Sequence, residues 1–204
     1  MMQELGYLKE SASQTAGPYV HIGCMPSYVG LDGVYPENLG RTMLGEGVKG
    51  QQITIEGQVV DGTGTPLKDA MVEIWQADAA GLYNSPSERR GQADPAFSGW
   101  GRQATDADSG LFTFETIKPG AVPWTDGRMQ APHISFWIVA RGINLGLNTR
   151  LYFEDEAEAN DADPLLARIE HRNRVKTLIA KKTDAGYRFD IHLQGPDETV
   201  FFDL

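Results

Sequence analysis

Cysteine is almost absent from this chain of 204 residues: Cys24 is the single instance, so no intrachain disulfide can form and nothing points to an oxidising compartment. Cations are scarce too. The 18 Lys and Arg stand against 28 Asp and Glu, a formal net charge of −10. Nucleic-acid affinity comes largely from neutralising phosphates with Lys and Arg, so no nucleic-acid partner is expected. The same surplus repels an anionic ligand, which then needs a local Arg wherever it binds. No run of about 18 apolar residues exists to span a bilayer, and residues 1–10 lack a basic region followed by an apolar run. The expectation is a soluble, cytoplasmic chain with no membrane partner. A Gly-x-Ser-x-Gly elbow is also missing, which disfavours a hydrolase. The stretch Asp61-Gly62-Thr63-Gly64 lacks the lysine of a phosphate-binding loop and reads as a turn. No internal repeat or low-complexity tract is evident.

What is present is apolar material in ordinary globular proportion, 41% hydrophobic with 23% charged, enough to bury a core. The length suits an all-β sandwich folded as one unit. Residues 1–50 carry Gly17-Pro18, Pro26, Gly30, Gly33, Pro36, Gly40, Gly45, Gly47 and Gly50, punctuation too dense for a long helix or strand. They read as an extended arm. Its Leu5, Tyr7, Leu8, Tyr19, Val20 and Ile22 suit docking on another surface rather than disorder. From Gln51 the pattern turns period-two, with Ile53, Ile55, Gly57 and Val59 on one face. Similar runs follow at 70–77, 111–116, 133–141, 150–153, 187–194 and 199–202, separated by Gly, Pro, Asn and Asp clusters. Residues 51–204 are therefore expected to form an all-β domain, an antiparallel β-sandwich. Asp163-Pro164, an N-cap followed by proline, predicts one or two short helices over 163–180. The charge run at 154–158 reads as a solvated face.

Four histidines invite a metal hypothesis, and spacing weighs against it. His21, His171 and His192 stand apart from one another in sequence, each more readily a structural or surface residue than a ligand. His133 opens the strand His-Ile-Ser-Phe-Trp, where residues two apart share a face, so a His-x-His pair would aim two imidazoles at one ion. The second place is Ser135, a weak neutral ligand, so a hydrogen-bonded strand histidine is the simpler reading.

Six strings in order are Ser13-Gln14-Thr15-Ala16-Gly17-Pro18-Tyr19, Glu73-Ile74-Trp75-Gln76-Ala77-Asp78 with Gly81 and Tyr83, Gly99-Trp100-Gly101-Arg102, Thr116-Ile117-Lys118-Pro119-Gly120, Ala131-Pro132-His133-Ile134, and Tyr187-Arg188-Phe189-Asp190-Ile191. Together they resemble the intradiol dioxygenases of aromatic catabolism over residues 13–204. The iron-bearing chains of that family hold ferric iron with two Tyr and two His. The resemblance places Tyr83 and His133 at two of those positions, but Val122 and Ser135 at the other two, and Gln130 where an Arg precedes the His pair. It therefore implies a non-catalytic α-type chain with no metal site of its own, beside an iron-bearing β subunit of the same fold in a higher hetero-oligomer. In such pairs the substrate sits between the chains, and the α wall maps onto Thr15, Gly17, Pro18 and Arg141. The implied substrate, 3,4-dihydroxybenzoate, carries a carboxylate that a guanidinium can clamp. Two alternatives stand beside this reading. A self-sufficient homo-oligomeric catechol-type dioxygenase needs all four ligands in one chain. A non-enzymatic β-sandwich binding module leaves the arm and the Lys-Pro-Gly loop without a purpose.

Overall fold

Strand β1 (Gln52–Val60) buries Ile53, Ile55 and Val59 on one face, as the alternation requires. The structure, a computed structural model, describes residues 15–17, 19–144 and 146–203. β1 pairs antiparallel with β4 (Leu111–Ile117), and parallel with both β10 (Gly186–Arg188) and β11 (Ile191–His192). Gly57 lets the partners close: a Cβ there would lie 1.9 Å from the Phe189 carbonyl oxygen and 2.5 Å from the Phe112 ring. Beyond β10 the sheet continues through β9 (Ile179–Lys182), β8 (Leu147–Phe153), β7 (His133–Val139) and β2 (Met71–Trp75) to β3 (Trp100–Ala104). A separate hairpin pairs β5 (Val122–Pro123) with β6 (Met129–Gln130).

The nine-stranded sheet curls around one core. Phe136 packs inside it against Phe189 at 5.3 Å, Phe112 at 6.0 Å and Phe114 at 6.4 Å between ring centroids. The antiparallel sandwich expected from the sequence is met in most pairings, but the sheet is mixed. The β1 pairings with β10 and β11, and β8 with β9, are parallel. Strand direction leaves no trace in a single strand's alternation, so the sequence carries no sign of it.

Other departures have local causes. The expected strand at 187–194 is split, because Asp190 Oδ1 accepts a hydrogen bond from the Gln58 amide at 3.0 Å where a backbone carbonyl would otherwise sit. β3 escapes a period-two reading because Gly99 and Gly101 interrupt it. The expected strand at 199–202 reduces to a bridge between Asn148 and Phe202. The expected helical stretch through Ala180 stops at Leu178. Ile179 and Ala180 instead join the sheet beside Tyr152 and Phe153.

Asp163 caps the next turn as its sequence suggests, accepting from the Leu165 and Leu166 amides at 2.8 and 2.9 Å, and its other oxygen takes the Ala131 amide at 2.9 Å. One buried carboxylate, at the end of helix α2 (Ala157–Ala162), thus ties the turn at Leu166–Arg168 to the outer face of the sheet, and a second turn follows at Arg172–Leu178. There Ala131, Tyr152, Leu166 and Leu178 form a second, smaller core.

The arm is not extended throughout. It contains helix α1 (Tyr19–Cys24) and a 3-10 turn over Pro26–Val29. Tyr28 donates to the Lys68 carbonyl at 2.7 Å, and Met25 and Met43 are buried, so this part of the arm packs on its own chain. The short helix sits between Gly17-Pro18 and Pro26, a window too brief for helical periodicity to show.

Candidate functional site

Two loops meet at one end of β7, and two buried polar residues of the Trp-Gln-Ala-Asp string stitch them. Gln76 donates to the Ile117 carbonyl at 2.9 Å and accepts from the Thr116 hydroxyl at 2.8 Å. Asp78 Oδ1 accepts from the Ala80 and Leu82 amides, both at 2.9 Å, and Oδ2 from the Asp94 amide at 2.8 Å. The Asp78 carbonyl takes the Gly120 amide at 2.9 Å. Gly81, with φ 78°, and Gly120 stand where any side chain would strike the facing loop: their Cβ positions lie 2.2 Å from the Ala121 oxygen and 2.6 Å from the Gly81 nitrogen. The loop carrying Tyr83 and the loop leading to Val122 are thereby locked together.

Across the outer face of the sheet, Trp75, Ser135 and Arg150 stand in one row, with His133 and Tyr152 in the next row of β7 and β8. Tyr83 stacks on Trp75 at 5.9 Å with planes 10° apart. His133 is buried and its Nδ1–H donates to the Ala131 carbonyl at 2.8 Å. Burial, aided by the positive charge of Arg150, pushes the His133 imidazole down to about 3. Burial likewise pushes the Tyr83 phenol up, opposed by Arg150 and Arg90.

Val122, buried, faces Gln130 across the hairpin, and Gln130 Oε1 accepts from Arg150 Nη1 at 2.8 Å. The structure therefore brings Tyr83, Val122, His133 and Ser135 into one neighbourhood. Their donor set does not fit ferric iron. Val122 has no donor atom, Ser135 offers a neutral hydroxyl, and a guanidinium stands among them.

The other predicted group lies at the far end of β7, about 20 Å away along the strand by its rise per residue. Thr15 is pinned to the turn there: its hydroxyl accepts from the Gly142 amide at 2.7 Å and donates to the Ala140 carbonyl at 3.3 Å. Arg141 follows buried Ala140, has a side chain 71% exposed, and pairs with Asp69. Gly17 has open space at its Cβ position, so no contact among the described residues demands glycine there. Pro18 lies outside the described residues. Arg141 borders two hollows. One of about 560 Å³ is lined by Leu67, Ile143, Leu147 and Leu193, and one of about 270 Å³ is lined by Gly17, His21 and Asp69. His21, stacked on Tyr28 at 5.0 Å, is held low chiefly by burial, against the pull of Asp69.

Sequence reasoning missed Asp69 and Arg150. Nothing local marks Asp69, since its partner is 72 positions away. Arg150 opposes Ser135 in the register of β7 and β8, a relation visible only once the two strands are paired.

Residues 25–195 match the Dioxygenase_C family of dioxygenases. The chain is 44% identical to the protocatechuate 3,4-dioxygenase alpha chain of Pseudomonas putida over 97% of its length and 98% of that relative's. It is also 37% identical to the protocatechuate 3,4-dioxygenase beta chain of Burkholderia cepacia, over 74% of this chain and 67% of that one. An intradiol ring-cleavage dioxygenase from Tetranychus urticae shares the fold with a TM-score of 0.55 at 22% identity, over 78% of this chain and 88% of that one. Motifs and fold agree with these likenesses, and the chain belongs to the intradiol dioxygenases, in the branch of the protocatechuate 3,4-dioxygenase alpha chains.

Proposed function

We propose that this chain supplies one wall of a substrate pocket completed by an iron-bearing β subunit of the same fold. The assembled enzyme inserts both atoms of O2 between the hydroxyl-bearing carbons of 3,4-dihydroxybenzoate, giving 3-carboxy-cis,cis-muconate. The observation that carries this reading is the contrast along β7. The metal-type pocket lacks two donors at Val122 and Ser135, while the opposite end keeps an exposed guanidinium.

Ring-cleaving chemistry then belongs to the partner's ferric iron, and the residues of this chain bind and orient. Arg141 exchanges Asp69 for the substrate carboxylate, which its planar fork accepts in two parallel hydrogen bonds. Thr15 fixes the Ala140–Gly142 turn that aims Arg141. Gly17, with open space where a Cβ would stand, lets the backbone approach the ligand, and Pro18 restrains it. Tyr19, Ile22, Val29, Leu31, Val34, Tyr35 and Leu39 are exposed along the arm, an apolar ribbon suited to the partner chain.

The test is to purify the chain alone and coexpressed with a β chain. Alone it carries less than stoichiometric iron, shows no phenolate-to-iron absorption and cleaves no ring; together the two give an active, iron-containing hetero-oligomer. Stoichiometric iron and ring cleavage in the isolated, monodisperse chain would overturn the reading and favour the self-sufficient enzyme.

A further inference from the structure

The metal-type pocket is filled from within. Directly opposed residues of an antiparallel pair project from the same face, so the side chains of Ser135 and Arg150 share one patch of the outer sheet surface. Ser135 leaves the volume that a larger residue would take, and the Arg150 guanidinium lies in that neighbourhood. Its Nη1 donates to Gln130 Oε1 at 2.8 Å, and the Gln130 amide nitrogen reaches the Pro123 carbonyl at 3.3 Å. Arg150 Nε is buried with no hydrogen-bond partner, and Arg150 makes no ion pair among the described residues.

Arg150 as a whole is half-buried, but its Nε is out of solvent, and a cation so placed without a carboxylate is costly to keep, so its placement asks for a reason. The side chains around it, the Tyr83 and Tyr152 phenols, the His133 imidazole and the Gln130 amide, include no carboxylate. They offer lone pairs to a single positive charge that is covalently tethered and cannot leave. We propose that Arg150 is the resident cation of this pocket: its guanidinium takes the space left by Ser135 and shuts the site to metal ions. The loss of metal from this chain is then held by two changes, absent donors and an installed guanidinium, and restoring donors alone does not reverse it. This goes beyond the proposed role in the assembled enzyme and does not depend on Arg141.

The experiment compares the full chain with its Ser135→His, Arg150→Gln and doubly substituted forms, reading the melting temperature and the affinity for cobalt(II). Ser135→His alone sets an imidazole against the guanidinium and lowers the melting temperature by about 4–8 °C. Adding Arg150→Gln recovers most of that loss, and the double form, with His at 133 and 135 on one strand face, binds cobalt(II) at least about tenfold more tightly than Ser135→His alone. Should Ser135→His not fold, a folded double form is the same rescue. Additive losses of melting temperature, no rescue of folding, or equal cobalt(II) affinity with and without Arg150 would each overturn the proposal.

Discussion

The two ends of β7 hold the same kind of side chain in opposite ways. At the His133 end, Arg150 is half-buried and bonded to an uncharged amide. At the other end, Arg141 stands 71% exposed against a single carboxylate, beside two hollows. The first guanidinium is confined and the second is available. A strand of seven residues thus separates a half-buried guanidinium from an exposed one, and damage at the two ends should read out differently.

The largest separation is expected from Asp78→Ala. It strips the acceptor from three backbone amides and frees the Tyr83 loop, costing about 4–6 kcal/mol of stability with no selectivity between substrates. Denaturant unfolding measures it, and a loss below about 1 kcal/mol would show that the loop contacts hold without the carboxylate.

Arg141→Ala should do the reverse. In the coexpressed α/β enzyme it is expected to cost on the order of 2–5 kcal/mol in kcat/KM for protocatechuate, leave catechol almost untouched and keep the melting temperature. Arg141→Lys should recover only part. Equal losses on both substrates would move the carboxylate site to the iron-bearing chain.

Acid sensitivity should also map to the buried end. The His133 imidazole is lowered from 6.5 to about 3 in the fold, so the unfolded chain binds the proton first. Its stabilising contribution is complete above pH 6.5 and fades as pH falls toward 3. His133→Asn should flatten the stability profile in that window whereas Arg141→Ala should not. An unchanged profile in His133→Asn would place the acid sensitivity elsewhere.

Smallest is Thr15→Val, which removes both hydroxyl bonds to the turn and should cost about 1 kcal/mol in kcat/KM through a less well-aimed Arg141. The loss should vanish when Arg141 is already Ala. A loss that persists there would assign Thr15 a direct role.

Much of this arrangement was legible in the chain itself. Period-two runs located β1, β4 and β7, and the Asp163 cap was found on chemistry alone. Val122 came to notice only through the family resemblance, which placed it and Ser135 at two ligand positions. What stayed hidden depends on neighbours distant in sequence. The parallel pairings of β1, the Asp69–Arg141 pair and the placing of Arg150 opposite Ser135 are properties of strand order, which no local pattern encodes. The start of the strand at Ile179–Lys182 was lost to a helical reading because its pairing with β8, 27 positions away, outweighs local propensity.

The parallel pairing of β1 has a consequence in time. Gln58 finds the Asp190 carboxylate 132 positions later, and Thr54 faces Gly186. Until residues 186–192 are available, β1 has an open edge and its apolar face lacks Tyr187, Phe189 and Ile191. Long-range closure of this kind slows folding and exposes the nascent sheet to wrong partners. Closing β1 on residues 186–192 within the chain removes that open edge, so a second chain with strands of the same shape would find nothing there to pair with.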